Sequence, residues 1–248
     1  MTEAYKNLRT RADGVWGDLH DPDIVWVRVG TTICGRSINA LGVVEKFRTE
    51  LSQRGIKSVV SEVGCLGLCY AEPLVDISSS VLGRVLLGPV HVEGVSEIVD
   101  TVIVNGNANV SNVIGSFEKS MEGVPMMSEI PGWANQHRIA LRNVGQIDPG
   151  DAFQYLANEG YAALDAALSD RTPEEILTEV RASGLRGRGG AFFNTGTKWG
   201  FLVPSPSSEK YILCNCEEGD PGAYNDKGIL EGDPHTVLEG LALAGFAT

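Results

Sequence analysis

Three cysteines near the start of the chain have the residue type and spacing of ligands for a soft metal. Cys65 and Cys69 lie three residues apart in the segment GCLGLCYAEP, and Cys34 follows the first predicted strand. Gly64 and Gly67 leave backbone amides free to approach a ligand. Thiolates at such spacing suit iron–sulfur clusters, whereas isolated cysteines are more often small buried residues. The sequence therefore predicts a metal site at these three positions.

A second pattern with chemical potential is the glycine-dense segment SGLRGRGGAFFNTGTKWGF. It follows a predicted helix, not a strand, so it is not a dinucleotide fingerprint, and it lacks the Gly-Lys-Ser/Thr of a Walker loop. Its glycines allow close backbone approach to a phosphate and its lysine supplies a positive charge: Gly187, Gly189, Gly190 and Lys198. Phe193 and Phe201 can stack on an aromatic ring. The pattern favours a flavin phosphate site over a structural turn.

Length and composition limit the remaining classes. The chain has 248 residues, 43% of them hydrophobic, with a formal net charge of -12. This size fits two domains, and the acidity disfavours nucleic acids and anionic membranes as partners. No signal peptide or membrane-spanning run is present in the sequence, which predicts a cytoplasmic protein. An odd number of cysteines, 5, argues against a disulfide framework.

Residues 22–105 carry the pattern of an α/β domain. Alternating hydrophobic runs predict strands, and one amphipathic pattern predicts a helix from 38 to 54. The predicted strands are 24–29, 56–63, 74–78 and 84–87, and a final helix is predicted for 91–105. A strand–helix–strand start followed by a hairpin and a helix is the thioredoxin-like arrangement. The ends of its first two strands lie side by side, which would bring the three cysteines together.

The remaining boundaries are a tail at 1–21, a linker at 106–136 and a second domain at 137–248. Residues 152–168 are predicted to be helical with a break at Gly160, and Thr172 and Glu175 form a capping box for the next helix. A strand is predicted for 210–216, with Cys214 and Cys216 buried on one face, and Asp233–Pro234 opens another helix. The chain stops within a helical pattern, so we expect it to be a fragment.

The cysteine motifs resemble a known domain. VGTTICGRSINALG followed by GCLGLCYAEPLVDI is similar to the thioredoxin-like 2Fe–2S domain, which occurs in the small electron-transfer subunit of respiratory complex I and ahead of flavoprotein subunits in NAD-linked hydrogenases and formate dehydrogenases. That family has four cysteines. With Cys34 aligned to the second, the alignment that the flanking residues favour, Val29 occupies the missing position; aligned to the first, Asn39 does. The resemblance implies a 2Fe–2S cluster held by Cys34, Cys65 and Cys69, one ligand short.

The glycine loop and the acidic motif CNCEEGDPGAYNDKGILEGDPHTVLEG together resemble the flavin- and NADH-binding subunit of complex I and its relatives, over residues 137–248. The resemblance implies that one set of residues contacts FMN: Gly187, Arg188, Gly189, Lys198, Asn215, Glu217 and Glu218. It implies that a second set lines the NADH pocket: Gly190, Phe193, Phe201 and Asp220. Departures from the family are Phe192 for a glycine, Asn194 for a proline, Glu217 for an aspartate and Asp220 for a glutamate.

The resemblance implies an NADH dehydrogenase module in which FMN accepts a hydride and delivers single electrons to iron–sulfur clusters. Its partners would be subunits of a hydrogenase, formate dehydrogenase or similar complex. No catalytic acid or base is expected, only positioning residues. A C-terminal 4Fe–4S segment of the family is not in this sequence, so we expect the 248 residues to bind FMN poorly and to be inactive alone. The alternative is a non-catalytic electron-carrier or docking module.

Overall fold

A computed structural model describes all residues from 1 to 248 and contains one mixed sheet of five strands. The strands lie in the order β2-β1-β3-β4-β5. They are β1 Val25–Gly30, β2 Ser58–Val63, β3 Val75–Ser79, β4 Gly83–Leu87 and β5 Val113–Ser116. β1 pairs in parallel with β2, and the other neighbours are antiparallel.

The helices follow the same chain order. Those around the sheet are α1 Glu3–Leu19, α2 Ile33–Ser37, α3 Ala40–Gln53, α4 Val95–Ile98 and α5 Pro131–Ala134. α4 continues into a π-helical turn at Val99–Val104. Those of the C-terminal part are α6 Ala152–Ala157, α7 Ala162–Asp170, α8 Pro173–Ala182, α9 Thr195–Gly200, α10 Asn225–Gly232 and α11 Pro234–Ala247. None of these helices is long and apolar enough to cross a bilayer.

One face of the sheet carries the main hydrophobic core. Alternation along β1 points Val27 and Val29 toward α3, whose Val43 and Phe47 are buried against them. The crossover from β1 through α3 to the parallel β2 and the β3–β4 hairpin reproduce the predicted thioredoxin-like order. The α/β fold class is confirmed, and each predicted strand in residues 22–105 lies within two residues of an observed one.

The opposite face of the sheet carries buried polar side chains beside a smaller hydrophobic cluster that includes Leu86, and other parts of the chain cover it. Residues 1–21, predicted as a tail, contain helix α1, which packs against α6 and buries Tyr5 and Ala12. Thr2 accepts a hydrogen bond from the Tyr5 amide at 3.2 Å and so caps the helix. The tail is therefore an ordered helix, because its widely spaced apolar residues find a partner surface in the C-terminal part.

Two further predictions need correction. Within the predicted linker 106–136, β5 extends the sheet beside β4, and Met127 is 1% exposed. A four-residue strand is too short to show a clear period of two. Conversely, residues 210–216 form no strand. Strand backbone is stable when its amides and carbonyls pair with a neighbouring strand, and none lies beside this segment.

The predicted helix starts of the C-terminal part are confirmed. Thr172 accepts from the Glu175 amide at 3.3 Å, and the Glu175 carboxylate accepts from the Thr172 amide at 2.8 Å, which completes the capping box of α8. Asp233 caps α11 by accepting from the Thr236 amide at 3.3 Å. The helix break near Gly160 separates α6 from α7. These helix starts depend only on residues close together in the chain, so the sequence predicts them directly.

Candidate functional site

The three N-terminal cysteines line one cavity of about 250 Å³. Cys34 lies in α2 directly after β1, Cys65 lies just after β2, and Cys69 begins a short 3₁₀ turn. β1 and β2 are parallel neighbours, so the segments that follow them emerge at the same edge of the sheet. The three cysteines therefore line a shared cavity, as the sequence predicts.

The protein holds Cys65 as a neutral thiol. Its Sγ donates to Glu72 Oε1 at 3.0 Å and accepts from the Gly67 amide at 3.2 Å. Burial, followed by the hydrogen bond to Glu72, raises the pKa of Cys65 to about 12. Burial and the neighbouring Cys69 also raise the pKa of Cys34. A bound metal would have to displace these protons, as thiolate ligation requires.

Arg138 provides the strongest structural indication of an anionic group in this cavity. Its Nε and Nη1 atoms are buried without a hydrogen-bond partner, and the residue lines the cavity together with Lys227. Burial lowers the pKa of Arg138, while the nearby Cys65 acts in the opposite direction. Unpaired buried donors cost roughly 1–3 kcal/mol each. An iron–sulfur cluster ligated by thiolates is anionic, and the positive charges of Arg138 and Lys227 beside this cavity would favour it.

The donor set matches three of the four ligands of such a cluster. Val29, the residue at the missing position, is fully buried in the core, and Asn39 caps α3 with a positive φ of 70°. No three His, Cys, Asp or Glu side chains are grouped around a point where a single metal ion could bind. The three cysteines therefore share the cavity without being gathered around one point, and neither alignment position offers a fourth thiolate.

The glycine loop forms a second cavity of about 610 Å³. Four predicted site residues line it, and the structure adds a set of apolar and aromatic neighbours. The predicted residues are Gly187, Gly189, Phe193 and Lys198; the neighbours include Phe192, Trp199, Tyr211 and Leu213. The Gly187 amide donates to the Phe193 carbonyl at 2.8 Å, which closes the loop on itself. An apolar cavity with one cation and accessible glycine backbone suits an aromatic phosphate ester.

The other predicted residues lie outside this cavity: Arg188, Gly190, Phe201, Asn215, Glu217, Glu218 and Asp220. The Phe201 ring lies 6.1 Å from the Phe193 ring, so it remains close to the site. Gly190 takes a φ of +103°, as only glycine does readily, and Phe192 takes a strained φ of 50°. The structure therefore brings the glycine loop and Lys198 together but does not add the acidic loop.

Glu218 has a structural partner in the next helix. Its carboxylate accepts from the amides of Asn225, Asp226 and Lys227 at 2.5, 3.0 and 3.0 Å and so holds the start of α10. Desolvation opposes the ionisation of Glu218, but these amides outweigh it and lower the pKa. The carboxylate thus complements the positive end of the helix.

Sequence reasoning missed the second wall of the cysteine cavity. Lys227 and Glu231, four residues apart on α10, line it, and Glu231 Oε2 accepts from the Ile33 amide at 3.3 Å. Their spacing puts them on one helical face, which was a usable signal. No sequence signal pointed to Arg138, because its role depends on where the segment after α5 passes the cysteines.

Comparison with known proteins finds similarity mainly in the C-terminal part of the chain. Residues 180–248 match the family described as the Nuo51 FMN-binding domain. The NADP-reducing hydrogenase subunit HndC of Solidesulfovibrio fructosivorans is 49% identical over 112 residues, which cover 45% of this chain and 22% of that protein. The F 2 component of the NADH-quinone oxidoreductase of Rhizobium meliloti is 47% identical over 109 residues, covering 44% of this chain and 26% of that protein.

This similarity lies in the part of the chain that contains the glycine loop and the acidic motif. The match spans about a quarter of the length of these curated relatives. Among solved structures, a thioredoxin-like [2Fe-2S] ferredoxin from Aquifex aeolicus matches with 20% identity and a TM-score of 0.34, covering 39% of this chain and 96% of that one. An NAD+-reducing [NiFe]-hydrogenase matches with 19% identity and a TM-score of 0.34, covering 99% of this chain and 41% of that one.

Proposed function

We propose that this chain is part of an NADH dehydrogenase module that passes electrons from NADH, through FMN, to iron–sulfur centres. The observation that carries the proposal is the family match over residues 180–248, which includes the whole glycine loop. Bound FMN would supply the exchange between two-electron and one-electron chemistry. The partners would be other subunits of a hydrogenase, formate dehydrogenase or similar complex in the cytoplasm.

The residues of the loop would bind and orient the cofactor. Lys198 lies in the cavity with Gly187 and Gly189, where its charge and the glycine backbone can take a phosphate. Phe193 and Trp199 line the same cavity and would exclude water from the ring system. NADH would enter beside the residues that the resemblance implies, which are Gly190, Phe193, Phe201 and Asp220.

FMN binding to a polypeptide that carries this sequence tests this assignment. Lys198→Ala should weaken binding about tenfold, since the loss of one charge-assisted phosphate contact corresponds to about 1.4 kcal/mol. Quenching of flavin fluorescence during titration of the chain measures the affinity. Lys6→Ala, which changes an exposed lysine of α1, is the matched control. Equal affinity of the Lys198 variant and the control would contradict the assignment.

The cysteine cavity would hold the cluster next in line for the electrons. Cys34, Cys65 and Cys69 are its proposed ligands, and Arg138 and Lys227 line the same cavity and would balance its charge. Anaerobic reconstitution with iron and sulfide tests this proposal. Visible absorbance of a cluster should be lost in Cys65→Ser and retained in Cys216→Ser. Retention in Cys65→Ser, or loss in both, would rule out this ligand set.

A second candidate function is a non-catalytic docking or electron-carrier module. The absence of a fourth cysteine at Val29 favours it, because a weak or missing cluster would interrupt electron flow. NADH–ferricyanide reductase activity distinguishes the two functions. Activity in a polypeptide that carries this sequence with FMN bound supports the dehydrogenase, and FMN binding without activity supports the docking module.

A further inference from the structure

Two exposed cysteines near the glycine loop form a close pair. Cys214 and Cys216 flank Asn215, and their sulfur atoms lie 3.2 Å apart. A disulfide bond is about 2.05 Å long, so the sulfurs need to approach by roughly 1 Å. The segment has no strand pairing and is exposed to solvent, so no sheet hydrogen bonds resist the necessary bend. The sequence had predicted these residues to be buried in a strand, and that prediction is wrong.

The surroundings of the pair favour thiol chemistry over metal binding. Two thiols and no third His, Cys, Asp or Glu ligand are grouped there, whereas a structural metal site needs about four. Cys65 differs from this pair, since it is partly buried and donates a hydrogen bond to Glu72. Cys214 and Cys216 are both exposed and are also each other's nearest polar partner.

We propose that Cys214 and Cys216 form a redox-active dithiol, which closes to an intramolecular disulfide on reaction with a low-molecular-weight disulfide. The thiolate of one cysteine attacks a sulfur of the reagent, and one reagent thiolate leaves and takes up a proton. The second cysteine then attacks the protein sulfur of the mixed disulfide and expels the second reagent thiolate, which is also protonated. Two protein thiols and one reagent disulfide thus give one protein disulfide and two reagent thiols.

The pair lies close in sequence to a residue that holds the start of helix α10. Cys216 is two residues from Glu218, whose carboxylate holds the first turn of α10. The hydrogen bond with Cys214 is the main cause that raises the pKa of Cys216, and the carboxylates of Asp226 and Glu218 add to it. The thiolate fraction, and with it the rate of closure, therefore increases as the pH rises through the alkaline range.

Oxidation with glutathione disulfide followed by tryptic mass mapping tests the proposal. Trypsin releases residues 211–227 as one peptide that contains both cysteines and no other cysteine. After blocking of free thiols with an alkylating reagent, this peptide should appear unalkylated and two hydrogen masses lighter than the reduced form. The Cys34→Ser chain should give the same peptide, because that residue belongs to the other cavity.

The single variants define the result that would overturn the proposal. In Cys214→Ser, the remaining Cys216 should stop at the mixed disulfide with glutathione, which shows that the reagent reaches the site. If the unmodified chain also stops at the mixed disulfide, on either cysteine, the pair cannot close and the proposal is wrong. An alkylated pair in the unmodified chain, under conditions that glutathionylate the variant, would refute it equally.

Discussion

Loss of the Asp76 carboxylate should destabilise the chain more than any surface change. Asp76 lies on the polar face of the sheet and is 2% exposed. It accepts from Arg28 Nη2 at 2.8 Å and from Arg84 Nε at 2.6 Å. Arg28 is itself 4% exposed, and burial lowers its pKa to about 10 even though Asp76 acts in the opposite direction. One carboxylate therefore compensates two guanidinium groups that are largely buried.

The magnitude follows from this geometry. Removing one partner of a buried ion pair costs about 3–5 kcal/mol, because the remaining charge is left uncompensated. For a chain of this size each kcal/mol lowers the melting temperature by roughly 2–4 °C, so Asp76→Asn should lower it by roughly 6–20 °C. Replacement of the whole triad by apolar residues (Arg28→Met, Asp76→Leu and Arg84→Met) should restore much of this loss.

Chemical unfolding followed by circular dichroism measures the effect. The matched control is Asp13→Asn, which removes a similar Arg–Asp pair from the exposed surface of α1, where Arg9 Nε lies 2.9 Å from Asp13. An exposed pair contributes about 0–1 kcal/mol. If Asp76→Asn lowered the free energy of unfolding no more than Asp13→Asn does, the reasoning from burial would be refuted.

Three further predictions concern a cap, a pH dependence and the cysteine cavity. Thr172→Ala should destabilise the chain by about 1 kcal/mol in urea unfolding, because α8 loses its capping hydroxyl; an unchanged midpoint would contradict this. Hydrogen bonds from Lys46 and then Arg54 lower the pKa of Glu50 to about 2, so its stabilising effect is complete above its unfolded pKa and is lost as the pH falls from about 4.3 toward 2. The difference in free energy of unfolding between the chain and Glu50→Gln should therefore shrink from pH 6 to pH 3. A constant difference would exclude ionised Glu50 as a source of stability. In a reconstituted cluster, Arg138→Met should lower the reduction potential on the order of tens of millivolts, the one-electron equivalent of about 1 kcal/mol, as measured by a redox titration against Arg138→Lys.

The parts of the fold that the sequence predicted are those specified by local patterns. The face of α3 that contains Val43 and Phe47 repeats with the helical period, and Thr172 with Glu175 forms a capping box. These local patterns do not depend on contacts with distant parts of the chain. The errors at α1, β5 and residues 210–216 share the opposite property. Each depends on whether a distant segment supplies a partner, which a local pattern does not contain.

The candidate sites divide in the same way. Convergence of Cys34 with Cys65 follows from the parallel pairing of β1 and β2, so it could be derived from the predicted topology. The motif also identified the residues of the glycine loop, and four of them share a cavity. The sequence could not identify Arg138 as a residue of the cavity. Its two buried N–H groups without hydrogen-bond partners are visible only in the tertiary structure. The resemblance implies that the acidic loop binds the cofactor, which stays a prediction, and the structure adds that Glu218 of this loop holds a helix end.

That helix connects the acidic loop with the cysteine cavity. Glu218, at the acidic loop, fixes the first turn of α10, and Lys227 and Glu231 on α10 line the cysteine cavity. Glu231 also accepts from the amide of Ile33, next to Cys34. A rigid helix transmits a displacement at one end to the other, because its backbone hydrogen bonds leave few internal degrees of freedom. The position of the acidic loop relative to the cysteine cavity is therefore fixed by α10 together with the contacts of Glu218 and Glu231 at that helix.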